Sequence, residues 1–127
     1  MDVEPESEEI AVLREPIDRD RLRELVDRWF GDMVKYVVDV ERGVIAVGGE
    51  LHADAEAVLL ADGSQPTDLW GANYYPGRGK EECIEYTSLI NIRPAAGNRA
   101  MELADPDLRG RVRQRTFELL GRGEPLT

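Results

Sequence analysis

The 127-residue chain contains one cysteine, one histidine, two tryptophans and two phenylalanines. The lone Cys83 excludes an internal disulfide, and the acids of E-E-C-I-E around it would raise its pKa and blunt a thiolate nucleophile. The lone His52 excludes paired-imidazole zinc motifs of the H-E-x-x-H kind. Neither Ser64 nor Ser88 sits in a G-x-S-x-G elbow. R-G-K-E, Arg78 to Glu81, lacks both the first glycine and the closing Ser or Thr of a phosphate loop and reads as a turn. No apolar run approaches the ~20 residues of a membrane span, and no basic segment followed by an apolar run opens the chain. A cytoplasmic protein without a membrane partner is expected.

Positive charge is also scarce: Lys and Arg total 16 against 26 acids, a formal net charge of -10. Such a surface repels nucleic acid, and Arg109, Arg111, Arg113 and Arg115 wrap around a helix as a solvated face, so no nucleic-acid partner is expected. Half of the acidity is local. The first nine residues hold five acids and no base, and without them 21 acids face 16 bases, a charge of -5. This opening reads as an acidic disordered tail. Residues 10–121 then read as a single α+β domain and 122–127 as a C-terminal tail.

Periodicity supplies the elements. Ile10 to Glu15 is a short strand stopped by Pro16. Asp18 can cap a helix to Phe30 that puts Leu22, Leu25, Val26 and Trp29 on one stripe, with Gly31 at its end. Met33 to Val40 alternates as a half-buried strand, with Lys35 and Asp39 on its polar side, and Val44 to His52 returns from a hairpin at Glu41 to Gly43. For Ala53 to Asp62, alanine content favours a helix over continued strand. Leu69 to Tyr75 is strand-like. Ile84 to Arg93 alternates as a further strand until Pro94, and Asp105 caps a last helix to Leu120, with Pro106 at its first position. The expected architecture is an antiparallel sheet with helices packed on one face.

Four segments in order, G-D-M-V-K (Gly31 to Lys35), G-G-E-L-H-A-D-A-E (Gly48 to Glu56), D-L-W-G-A-N-Y-Y-P (Asp68 to Pro76) and N-I-R-P-A-A-G-N-R (Asn91 to Arg99), resemble a family of small, mostly bacterial proteins. That family is a domain of unknown function. The resemblance implies that Glu50, His52, Asn73, Asn91, Arg93, Asn98 and Arg99 occupy signature positions; it implies no activity.

The residues themselves suggest a chemistry. His52 is the natural proton carrier near neutral pH, and Glu50, two positions back on a strand, would orient it as acid or base. Asn91 and Arg93 would project from one strand face into a loop holding Gly97, Asn98 and Arg99, a set of amides and guanidiniums suited to a carboxylate or phosphate. With Asn73 they would form a polar cleft for an anionic small molecule. The rival reading is an interaction or structural module, in which Arg93 and Arg99 pair internally with Glu50, Asp54 or Glu85. His52 with Glu50, Asp54 and Glu56 offers one nitrogen only, so neither a metal nor another cofactor is expected. A homo-oligomer is compatible with the sequence but does not follow from it.

Overall fold

The computed structural model describes residues 10–126, so the acidic tail expected at 1–9 lies outside the described residues. Five strands, β1 (Ile10–Leu13), β2 (Val34–Asp39), β3 (Val44–Gly48), β4 (Leu69–Tyr74) and β5 (Ile84–Glu85), form one antiparallel sheet. Their order across it is β1-β3-β2-β4-β5. The helices are α1 (Arg19–Trp29), α2 (His52–Ala61) and α3 (Pro106–Leu119).

The two outer helices behave as their caps and stripes require. Asp18 accepts the N–H groups of Asp20 and Arg21 at 3.1 and 3.3 Å, and Asp105 accepts that of Asp107 at 2.8 Å. The chain leaves α1 through Gly31, whose φ of 84° favours glycine and whose N–H returns to Val26 O at 2.7 Å. Leu22, Leu25 and Val26 of α1, with Val112 and Leu119 of α3, pack on Val34, Tyr36, Val38, Ile45, Val47 and Tyr74. Leu22 is fully buried, so Leu22→Ala would cost about 2–5 kcal/mol. Inside this layer the Tyr36 and Thr116 hydroxyls meet at 2.6 Å.

The opposite face is covered as well. Ala55 and Leu59 of α2 seal a second cluster with Ile10, Val37, Val44, Ala46 and Leu69. The expected pair of helices does share one face, and α2 adds a third layer behind the sheet. Asp39, expected on a wet face, is therefore fully buried. It persists because Oδ1 accepts the N–H groups of Glu41 and Arg42, both at 2.9 Å, while Oδ2 accepts the Ser64 hydroxyl at 2.6 Å.

The strand expected over Ile84 to Arg93 ends after two residues. Ser88 Oγ accepts the Ile90 N–H at 3.2 Å and turns the chain into a 3-10 segment at Leu89–Asn91; a second one follows at Pro94–Ala96. Local hydrogen bonding by Ser88 overrides an alternating pattern. Beyond residue 121 the chain is pinned, with Gly77 N–H donating to Gly123 O at 3.0 Å and Gly123 N–H donating to the Tyr74 hydroxyl at 2.9 Å.

Candidate functional site

Gly48 and Gly49, with φ of 116° and 89°, end β3 in a turn that side chains with a Cβ rarely adopt. The turn lifts the chain off the sheet, and α2 starts at His52 above β4. His52 is 8% exposed. Its Nε2 lies 2.8 Å from Ala72 O, and a carbonyl only accepts, so Nε2 carries the proton and Nδ1 of the neutral ring holds the lone pair. Burial lowers the His52 pKa from its ordinary 6.5 and Lys35 adds to this; the Ala72 carbonyl, the Asn73 side chain and Glu85 oppose it.

Beside the ring a polar row crosses three strands. Lys35 of β2 stands opposite Asn73 of β4, and Asn73 stands opposite Glu85 of β5. Asn73 is 7% exposed and donates from Nδ2 to Glu85 Oε1 at 2.8 Å; that oxygen also accepts the Tyr75 hydroxyl at 3.2 Å. A carboxylate accepts only, which fixes the Asn73 amide with Oδ1 turned away from Glu85. Among the described residues, Asn73 Oδ1 and Trp29 Nε1 are buried side-chain atoms with no hydrogen-bond partner.

His52, Asn73, Lys35 and Ser88 line a cavity of about 320 Å³ whose other walls include Leu51, Leu89, Ile90 and Met101. Its size falls within the range of roughly 300–1,000 Å³ found for small-molecule sites. Gly71 forms the strand beneath. A Cβ there would stand 2.7 Å from Ser88 Oγ and 3.2 Å from His52 Cδ2, so only glycine lets both side chains approach the strand.

The comparison with protein families matches residues 11–119 to a family described as a protein of unknown function, DUF5674. The chain belongs to that family. Neither the curated proteins nor the solved structures provide a match. In this DUF5674 member the cavity draws Lys35, His52 and Asn73 from three separate segments of the chain, each among those that carried the resemblance.

The remaining candidates in the DUF5674 chain lie elsewhere. Glu50 is exposed and lines a different hollow with Asp54, so the carboxylate that His52 feels is Glu85. Asn91 is fully buried and holds the backbone of Gly71. Asn98 fastens its loop, donating to Asn91 O at 2.8 Å and Ala100 O at 2.9 Å while accepting the Ala104 N–H at 3.1 Å. Arg93 donates to Ile90 O at 3.1 Å, to Pro66 O and to Glu56 Oε2 at 3.2 Å, and its guanidinium stands 5.0 Å from the centre of the Trp70 ring. Arg99 is exposed. Because α2 is a helix, His52, Asp54 and Glu56 splay apart, and among the described residues no group of three or more His, Cys, Asp or Glu is placed to hold a metal ion. No helix of the described residues is long and apolar enough to cross a membrane.

Sequence reasoning missed Lys35, Ser88 and the apolar walls. A signal for Lys35 was present: it is the one cation in the otherwise apolar run from Met33 to Val38. Nothing local marked Ser88, whose role depends on Gly71 reaching it from another strand.

Proposed function

We propose that this domain binds a small acidic molecule with an apolar body in the cavity between α2, β4 and the Thr87–Ile90 segment. The carrying observation is an open cavity with largely apolar walls that presents one cation, Lys35, and the His52 ring. Lys35 supplies the charge. Its ammonium stands 5.2 Å from the centre of the Phe30 ring and is not held in an ion pair among the described residues, whereas Arg93 is fully engaged by its own fold. The start of α2 adds to the field, since the N–H groups of His52 and Ala53 have no intrahelical acceptor and Leu51 offers no side-chain cap.

His52 gives the site a chemical capability. Held neutral by burial and oriented by Ala72, its Nδ1 lone pair is a base next to whatever occupies the cavity. Binding is the core of the reading, and proton transfer is the activity it would support. We place this work in the cytoplasm, consistent with an unpaired, buried Cys83.

One observation favours a second reading. Leu51, Leu89 and Met101 are 54%, 72% and 42% exposed in the cavity wall, an apolar rim that a partner protein could cover. Titration of the ¹⁵N-labelled protein with short-chain carboxylates separates the two. Shifts at Lys35, His52 and Asn73 that vanish in Lys35→Gln support the small-molecule site, and an absence of shifts with every acid would leave the interaction module in its place.

A further inference from the structure

Ile84 and Tyr86 pack with the cluster beneath α1 and α3, and the hollow that they line with α3 lies across the sheet from the His52 cavity. We propose that this hollow, of about 260 Å³, binds the phosphate of a small phosphate monoester. Lys80 of the β4–β5 connection and Arg109 and Arg113 of α3 would hold the phosphate, with the Tyr86 hydroxyl as a further donor.

The fold gathers cations that lie far apart in the sequence. Lys80 belongs to the turn R-G-K-E, which the C-terminal segment fixes through Gly79 N–H donating to Gly123 O at 3.0 Å. Arg109 and Arg113 stand four residues apart on one side of α3. Arg109 is held in place: its guanidinium lies 4.5 Å from the centre of the Tyr86 ring, and Nε and Nη2 donate to Leu103 O and Glu102 Oε2, both at 2.6 Å. Among the described residues its Nη1 has no partner, and neither Lys80 nor Arg113 is held in an ion pair. Burial raises the Tyr86 pKa, and Arg113 and Arg109 lower it, so both guanidiniums act on the phenol. Three cations meet two acids here, Glu81 in the wall and Glu102 on Arg109, which leaves a positive surplus in a chain of formal net charge -10.

Gly110 is an independent sign of an occupant. It sits inside α3, where glycine weakens a helix. Its φ is not positive and a Cβ there would meet nothing within 4 Å, so neither backbone conformation nor packing within the fold calls for glycine. Its effect is an open wall beside Arg109 and Arg113, where a ligand can approach the helix. The charges then choose the ligand. A carboxylate brings two oxygens and one charge, whereas a phosphate monoester brings three oxygens and a charge of roughly -1.5 to -2 at neutral pH, which matches three cationic side chains entering from two elements. A phosphodiester carries one charge only, and the acidic surface around the hollow repels a polymer of them.

The test titrates the full ¹⁵N-labelled chain with methyl phosphate, dimethyl phosphate and acetate at neutral pH and constant ionic strength. Methyl phosphate should give saturable shifts at the amides of Lys80, Tyr86 and Gly110 and bind about tenfold more tightly than dimethyl phosphate or acetate, through its second charge. Lys80→Gln and Arg113→Gln should each weaken it about two- to fivefold, the range for one solvent-exposed ion pair, while Lys35→Gln, in the other cavity, should leave it unchanged. Gly110→Ala separates a site from a basic surface: the methyl should raise the unfolding temperature by improving the helix, yet weaken methyl phosphate at least about threefold by filling the hollow. No saturable shift at millimolar methyl phosphate, or equal affinity for monoester and diester, would overturn the proposal. So would a Gly110→Ala chain that binds as the wild type does, or binding that survives both charge variants.

Discussion

Asn91 takes the place of a strand beside Gly71: its Oδ1 accepts the Gly71 N–H at 2.8 Å and its Nδ2 donates to the Gly71 carbonyl at 3.0 Å. β5 covers β4 only at Asn73 and Tyr74, so the backbone at Gly71 would otherwise lack a partner on that edge. The same Nδ2 donates to Met101 O at 3.1 Å, which ties the cavity's outer wall to its floor. Asn91→Ala should lower stability by about 2–4 kcal/mol, because it strands a buried N–H and a buried carbonyl together. Denaturant unfolding measures it, and a loss below 0.5 kcal/mol, by the usual scale for surface changes, would contradict the account.

Gly71→Ala tests the approach of Ser88 and His52 to the sheet. The new methyl would overlap Ser88 at 2.7 Å and press His52 Cδ2 at 3.2 Å. Destabilisation of about 1–3 kcal/mol is expected, accompanied by shifted His52 ring resonances. Unchanged ring resonances would show that the strand accommodates the methyl without disturbing the site.

His52 should titrate below 6.5, and as the sole histidine it gives an isolated NMR signal. The groups that set its pKa beyond burial are Lys35, which lowers it, and the Ala72 carbonyl, Asn73 and Glu85, which raise it. Since the folded value is depressed, the unfolded chain binds the extra proton first. The contribution of His52 is therefore fully present above 6.5 and is lost as pH falls from there through the folded value. His52→Gln should flatten that slope of stability against pH, and a measured pKa at or above 6.5 would contradict the buried neutral ring.

Arg93 and Lys35 should separate stability from binding. Arg93→Gln removes contacts to Pro66, Glu56 and Trp70 from a side chain 18% exposed, and should cost about 1–3 kcal/mol. Lys35→Gln should change stability by no more than about 0.5 kcal/mol while abolishing the response to carboxylates. Parallel thermal unfolding with and without 4-methylpentanoate reads both effects. The reverse pattern would return the anion to Arg93.

Much of the fold was legible because its causes are local. Asp18 and Asp105 cap the helices they precede, the leucine stripes of α1 and α3 repeat at helical spacing, and alanine content turned the segment after His52 into α2 rather than more strand. What surrounds each polar residue was not legible, because alternation reports which way a side chain points and not what covers it. Asp39 and Lys35 share a face of β2, yet Asp39 is buried under a turn and Lys35 opens onto the cavity. Asn91 and Arg93, expected to face an anion, spend their hydrogen bonds inside the fold: Asn91 on Gly71 of β4, and Arg93 on Ile90, Pro66 and Glu56. His52 and Asn73, 21 positions apart, meet because two left-handed glycines fold α2 back over β4. Contacts of that kind depend on the order of strands and on which face α2 covers, and both are settled by burying the whole sheet rather than by any one stretch of sequence.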